Sequence, residues 1–365
     1  MGRVFLMAGG GTGGHVIPAL AVARELRDRG HAPVFVGTTT GFEAKLVPAA
    51  GFPIEWIDIG GLKRVGVSQT VRTLRQLPVS IRRVFRVFEK YRPAAVFSMG
   101  GYVAGPVMLA ASLRRLPLVV MEPNALPGFT NRRMGRFVTR ALLSFPETAR
   151  YFRRGRSEVT GVPVRPEFFT VPARPADSVF TVLITGGSQG SRTLNNAARE
   201  SWPYFRESGE PIHFLHQTGV AVHEEIAAAF AQSGLRGEIS AFIQDMPAAF
   251  AEADLIVSRS GAGAVAEIAA AGKPSILAPF PFAADDHQLK NAQAFARAGA
   301  ARVILDRECN GKKLFEEINA LRSNPTLAAS MARNARAFAK PGAATRAAEI
   351  LEQVSIDLLP ESRNN

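Results

Sequence analysis

Glycine crowds three turns of this 365-residue chain in a way that suits phosphate. The first is Gly9-Gly-Gly-Thr-Gly-Gly14, the second Ser98-Met-Gly-Gly-Tyr-Val-Ala-Gly105, the third Gly186-Gly-Ser-Gln-Gly190. Each follows an apolar run and precedes a helical pattern. A turn without side chains there lets backbone N–H groups at a helix N-terminus reach an anion, with the helix dipole adding attraction. None fits a better-known signature. The first aligns loosely to G-x-G-x-x-G, but Gly37-Thr-Thr-Thr, not an acidic residue, ends the next apolar run, and no Lys-Ser/Thr follows the first or third turn. Nicotinamide cofactors and P-loop hydrolysis lose ground accordingly. His15 stands directly after the first turn, where the positive pole of a helix favours a neutral ring able to accept a proton. The plainer reading makes it a helix-start residue bonded to backbone.

A fourth glycine-bearing stretch is Ser258-Arg-Ser-Gly-Ala-Gly-Ala-Val-Ala-Glu267. Its glycines would admit a ligand to the backbone, and Glu267, about one turn into the helix, could accept both hydroxyls of a ribose. Its plainer role is to answer the helix dipole. Pro279-Phe-Pro-Phe-Ala-Ala-Asp-Asp-His-Gln288 and Asn291 form a polar cluster suited to sugar hydroxyls. Asp285, Asp286 and His287 are consecutive, not at helical ligand spacing, so no metal site is expected; no other cofactor is expected either.

The elements that must position these residues alternate. Apolar runs at Val4–Ala8, Pro33–Gly37, Ile54–Ile59, Ala94–Met99, Leu118–Met121 and Ala141–Phe145 read as strands, with helical patterns such as Pro18–Arg29 between them. The segment Thr160–Ser178 collects prolines, and the alternation restarts at Phe180–Thr185, His213–Gln217, Ile239–Ile243, Leu255–Ser258, Ser275–Ala278 and Val303–Leu305. This is an α/β pattern. It is expected to form two Rossmann-like domains with parallel sheets facing a cleft: residues 1–162, a linker over 163–178, and residues 179–342. A last helix at 343–356 is expected to pack back on the first domain.

Composition narrows the partners. Lys and Arg number 44 against 31 Asp and Glu, a formal charge of +13, and the excess lies in the first 177 residues, with 26 basic against 11 acidic. The remainder carries 18 against 20. A polyanion is therefore expected on the first domain: nucleic acid, an anionic membrane surface or a phosphorylated ligand. No helix-turn-helix, RNA-binding or zinc pattern supports nucleic acid. A single cysteine, Cys309, excludes an internal disulfide, and no apolar run is long enough to span a bilayer. With no signal-peptide pattern, a cytoplasmic location is the default expectation.

Taken in order, Gly-Gly-Thr-Gly-Gly-His, Met-Gly-Gly-Tyr-Val-Ala-Gly-Pro, Glu-Pro-Asn124, Gly-Val-Pro-Val-Arg165, Gly-Gly-Ser-Gln-Gly, Phe-Ile243-Gln-Asp-Met, Arg-Ser-Gly-Ala-Gly-Ala-Val-Ala-Glu267 and Asp-His-Gln288 resemble the MurG family. The likeness runs from residue 1 to about 345. These are bacterial transferases of peptidoglycan synthesis that turn lipid I into lipid II. The resemblance implies a GT-B fold, UDP-GlcNAc on the second domain and a lipid-linked acceptor on the first. Ser188 and its turn would meet the UDP phosphates, Ile243 the uracil and Glu267 the ribose. Thr12, Gly13, Gly14, Asn124, Ala262, Gly263, Ala264, Val265, Ala266 and Gln288 would line the donor sugar and phosphate region, with Arg165 approaching the nucleotide. The turns holding Gly10 and Gly11, and Gly100, Gly101 and Tyr102, would receive the acceptor diphosphate. Pro123, where the family more typically has glutamine, and the small residues at Gly263–Ala266 depart from the usual pattern. An enzyme of the same fold with another acceptor, or a nucleotide-sugar epimerase, is one alternative, and a basic nucleic-acid-binding protein is another.

Val71–Arg92 holds seven basic residues and one acidic. Ile81, Val84, Phe85 and Phe88 form one helical stripe, expected to pack on the protein's own sheet. Val71, Leu74, Leu77 and Val79, with Arg72, Arg75, Arg82 and Arg83, are expected at a loop or helix start touching anionic lipid. A lipid-linked substrate would place the enzyme peripherally on the cytoplasmic face of the bacterial membrane.

Overall fold

The computed structural model describes residues 2–60, 67–175 and 178–356, with no side-chain description for 67–75. Two units result. One runs to Pro163 and takes in the chain again from Gly342; the other is Val164–Pro341.

The first unit is built from β1 (Val4–Gly9), α1 (Gly13–Asp28), β2 (Ala32–Gly37), α2 (Glu43–Ala49), β3 (Ile54–Trp56), α3 (Val67–Tyr91), β4 (Ala95–Gly100), α4 (Ala104–Leu113), β5 (Leu118–Glu122), α5 (Phe129–Met134), β6 (Arg140–Leu143) and β7 (Ser157–Val159). Its seven-stranded sheet has the order β3-β2-β1-β4-β5-β6-β7, with every pairing parallel. Parallel strands are covered on both faces, so their interiors read as unbroken apolar runs. Phe5, Leu6, Met7 and Ala8 are fully buried, as are Ala95, Val96 and Phe97.

The second unit repeats the plan with β8 (Phe180–Thr185), α6 (Arg192–Ser208), β9 (Ile212–Gln217), α7 (His223–Ala231), β10 (Arg236–Ser240), α8 (Met246–Glu252), β11 (Leu255–Ser258), α9 (Ala262–Ala271), β12 (Ser275–Leu277), α10 (His287–Arg297), β13 (Ala301–Val303), α11 (Gly311–Arg322) and α12 (Pro325–Phe338). Its six strands lie in the order β10-β9-β8-β11-β12-β13, again all parallel. Residues 166–170, inside the expected linker, form a 3-10 turn whose Phe168 is fully buried and meets the Phe250 ring edge-on at 5.0 Å.

The last helix, α13 (Ala343–Ile356), belongs to the first unit. Ala347, Ala348 and Leu351 are fully buried there. Glu352 accepts from Arg29 at 3.0 Å and sits 2.8 Å from His31 Nε2, while Arg3 donates to Ser355 Oγ at 2.7 Å.

Several sequence-based boundaries shift. Helix α1 begins at Gly13, five residues before the expected start, and carries Pro18 in its interior at the cost of one i→i−4 hydrogen bond. Strand β3 stops at Trp56, β10 ends at Ser240 and β13 occupies 301–303. β7 has no apolar run to announce it. These are short edge or next-to-edge strands, where burial leaves the weakest periodic signal.

Candidate functional site

In each sheet the strand order reverses once. The reversal lies between β1 and β4 in the first unit and between β8 and β11 in the second. The loops leaving the carboxyl ends of such neighbouring strands diverge to opposite faces, and the crevice they leave is where open α/β sheets take ligands. All the glycine-bearing stretches singled out in the sequence leave strands that flank these two points.

In the first unit, Ala8 pairs with Ser98 but Gly9 pairs with Gly100, a bulge that brings the two glycine turns together. Gly11 has φ +86°, and Gly100 and Gly101 both have φ +82°, a backbone that L side chains rarely adopt. A Cβ on Gly11 would stand 2.8 Å from Tyr102 Cε1, so the ring of the second turn lies against the first. Gly13 and Gly14 open α1, where first-turn amides have no carbonyl one turn back to bond. His15 Nδ1 lies 3.3 Å from Gly10 O and 3.3 Å from Thr12 Oγ1. A proton on Nδ1 shared with Gly10 O leaves the lone pair on Nε2.

Two buried carboxylates that carried no expected role organise this unit. Glu43, 1% exposed, accepts from Gly11 N at 2.8 Å, Thr38 N at 3.0 Å and Thr38 Oγ1 at 2.8 Å. The place past β2 that looked empty of an acid is thus filled from six residues further along. In the turn expected to receive the acceptor diphosphate, the Gly11 amide already holds a carboxylate oxygen. Glu122, also 1% exposed, accepts from Asn124 N, Asn124 Nδ2 and Gly128 N at 3.0 Å and from Asn131 Nδ2 at 2.9 Å. Burial pushes its carboxyl above the usual range, and the Asn131, Asn124 and Gly128 bonds work against that. Asn124 is therefore presented by a loop wrapped around a buried acid. Asn131 in turn fills the space where a Cβ on Gly100 would come within 2.8 Å.

In the second unit the turn after β8 has φ +85° at Gly187 and +73° at Gly190 and exposes Ser188. A side chain at Gly190 would strike the Thr218 carbonyl. Ser191 then caps α6, accepting from Leu194 N at 3.3 Å. Gln217, 1% exposed at the end of β9, ties this turn to the next loop. It donates to Gly187 O at 2.9 Å and Thr185 Oγ1 at 3.2 Å, and accepts from Ile243 N at 2.9 Å. Ile243 lies in a loop beyond β10, outside the strand expected to contain it.

Ala262, Gly263, Ala264, Val265 and Ala266 form the first turns of α9, and Glu267 follows, half-buried. Burial raises the Glu267 carboxyl to about 7, with the Arg165 charge pulling it back. Arg165 is exposed and stacks its guanidinium over Phe168. Arg259 is held inside by Ala278 O at 3.0 Å, Pro279 O at 3.2 Å and Asp306 Oδ1 at 2.5 Å, which anchors the loops after β11 and β12. Gln288 near the start of α10 accepts from Phe280 N at 3.1 Å, and its own carbonyl accepts from Ser260 Oγ at 2.8 Å. Among the described residues no group of three or more His, Cys, Asp or Glu side chains could hold a metal ion.

Glu43, Glu122, Gln217 and Arg259 are the organising residues that sequence reasoning left without a role. Only a polar residue at a strand end or next to glycines hints at them. The basic segment lies within a single helix, α3, with Val71–Val79 in its first half. Val84 and Phe88 are buried in the core, with Ile81 and Phe85 packed against it. Val79 is 60% exposed, Leu77 half-buried and Arg82 exposed, whereas Arg83 pairs with Asp58 at 2.7 Å. The side chains of Val71, Arg72, Leu74 and Arg75 lie outside the described residues. No helix among those described is long and apolar enough to cross a membrane.

Comparison with known proteins covers both units. Residues 5–143 match the glycosyltransferase family 28 N-terminal domain and residues 181–353 the family 28 C-terminal domain. The chain is 62% identical over 351 residues, 96% of each chain, to the UDP-N-acetylglucosamine--N-acetylmuramyl-(pentapeptide) pyrophosphoryl-undecaprenol N-acetylglucosamine transferase of Solibacter usitatus. It is 42% identical to the protein of the same name from an Anaeromyxobacter species, covering 96% of this chain and 93% of that one. The crystal structure of Acinetobacter baumannii MurG superimposes with a TM-score of 0.84 at 33% identity, covering 97% of this chain and 100% of that one.

Proposed function

The chain belongs to the MurG family of N-acetylglucosamine transferases, and we propose on that basis that it converts lipid I to lipid II. The donor is UDP-GlcNAc, and the acceptor is the 4-hydroxyl of the MurNAc unit of undecaprenyl-diphospho-MurNAc-pentapeptide. The observation that carries the reading is the repeated switch point, one per unit, each flanked by glycine-bearing strand-to-helix turns.

The second unit takes the nucleotide. Ser188 and its turn meet the diphosphate at the N-terminus of α6, the Ile243 loop meets the uracil, and Glu267 accepts the ribose hydroxyls. Ala262–Ala266 and Gln288 line the donor region. On the first unit Thr12, Gly13, Gly14 and Asn124 approach the donor sugar, and the turn at Gly100, Gly101 and Tyr102 takes the acceptor diphosphate.

Transfer is an in-line displacement. The acceptor oxygen attacks the anomeric carbon from about 3–3.5 Å, the bond to the UDP phosphate breaks, and the new link has inverted configuration, β-1,4. His15 Nε2 takes the hydroxyl proton. Charge growing on UDP is met by helix N-terminal amides and Arg165, preorganised donors that cost no rearrangement at the moment of reaction. The enzyme works peripherally at the cytoplasmic face of the bacterial membrane, where its substrate's lipid is held. Exposed Val79 and Arg82 on α3 are part of the contact.

Nuclear magnetic resonance of the disaccharide product tests the displacement: a β anomer is expected, and an α anomer would overturn it. In the same preparation His15→Ala should lower kcat about 10²-fold. A loss under about threefold would remove His15 as the base.

A further inference from the structure

The carboxylate behind the first glycine turn is an unusual thing to bury. An ionised acid out of water costs several kcal/mol unless its oxygens are bonded, and Glu43 has three donors close around it. The backbone is cut to its shape: a Cβ on Gly10 or on Gly37 would come within 2.6 Å of its side chain, and one on Gly41 would collide with it. Thr38 carries the arrangement across the sheet, its Oγ1 standing 3.5 Å from Tyr102 OH while it donates to Glu43. Glu43 thus joins the loops after β1 and β2 directly and reaches the loop after β4 through Thr38.

The amide it occupies matters. In strand-turn-helix phosphate sites, turn amides are left for the ligand. Here Gly11 N is satisfied from inside, so the turn keeps its shape without a substrate, and the negative charge behind it keeps a phosphate away from that amide. One residue back, Gly10 O lies 3.3 Å from His15 Nδ1.

We propose that Glu43 is a positioning residue for the transfer: it fixes the first glycine turn in a preorganised form that orients His15 through Gly10 and leaves the acceptor diphosphate to the β4–α4 turn. This rests on reading the first unit as the acceptor side and His15 as the base. Glu43 does not itself touch substrate.

Hydrogen exchange on the full-length protein, resolved at residues 9–14, is compared between wild type and Glu43→Gln, alongside steady-state kinetics with both substrates. The glutamine keeps the size but loses the charge and places an amide N–H against one of the donors. Exchange at Gly11 is expected to quicken about tenfold and kcat to fall about tenfold or more. KM for UDP-GlcNAc should stay within about twofold, a split that general loss of folding would not give. Thr38→Val, which keeps the carboxylate and its Gly11 bond, provides a milder second variant, with kcat down about threefold. Unchanged Gly11 exchange in Glu43→Gln would overturn the proposal, and so would faster exchange with kcat within twofold of wild type. Full activity in His15→Ala would remove the base reading alone, since the exchange and kcat of Glu43→Gln still judge the turn.

Discussion

In the proposed donor site, Glu267 is the residue whose charge state bears most directly on binding. Its carboxyl is raised to about 7 by burial, with Arg165 opposing. A ribose binds the ionised form, because two hydroxyl donors need two acceptor oxygens. As pH falls through 7 the free protein takes up a proton that binding must expel. The dissociation constant for UDP-GlcNAc should therefore rise by up to about tenfold per pH unit below 7. The sugar nucleotide's phosphates do not titrate there, so the slope belongs to the protein. Glu267→Gln should bind more weakly at pH 8 and show no such slope in calorimetry; a slope surviving the substitution would assign it to another group. Glu43 and Glu122 teach a different lesson at the same scale. Both are almost wholly out of water, and amide and hydroxyl donors answer them. Neither was legible as an organiser. A glycine turn announces itself through composition, whereas one acid at the end of a helix or strand matters only once folding brings amides to it.

Elements with a fully buried apolar interior were legible, and those without one were not. β1, β4 and β5 fall within a residue or two of their expected places because both faces of a central parallel strand are covered. β7 (Ser-Glu-Val) was invisible, and β10 shifted by three residues, since half-exposed edge strands tolerate polar residues. That shift has a consequence for the site. Ile243 leaves the strand for the loop, where Gln217 holds its amide. Helix α3 divides by exposure in the same way. Its inner stripe is core, its outer face carries Val79 and Arg82, and Arg83 is engaged by Asp58. Sedimentation with anionic vesicles should therefore show binding that weakens as salt approaches about 0.5 M. Arg82→Glu should weaken it about fivefold or more, at ~1 kcal/mol per basic residue near such a surface, and Arg83→Glu by less. Equal binding to neutral vesicles would contradict a basic membrane face on this helix.

Across the whole chain, two units of one plan differ in charge, the first strongly basic and the second close to neutral. The first 177 residues hold 26 basic and 11 acidic side chains, the rest 18 and 20. The basic excess lies with the unit assigned the lipid-linked diphosphate, and the near-neutral remainder with the unit assigned the nucleotide. The likeness to family 28 transferases spans both. Charge asymmetry alone left nucleic acid, lipid and phosphorylated ligands open; glycine turns at two switch points favour ligands with phosphates and sugars. The proposed reaction is transfer of GlcNAc to a lipid-linked acceptor with helix N-terminal amides and Arg165 serving where a metal ion otherwise would. Its most direct test incubates the purified protein with UDP-[¹⁴C]GlcNAc and a lipid I analogue in excess EDTA, and counts label in the lipid product. Labelled lipid is expected at an undiminished rate under chelation. Absence of labelled lipid, or transfer that stops with EDTA and returns with added divalent metal, would contradict it.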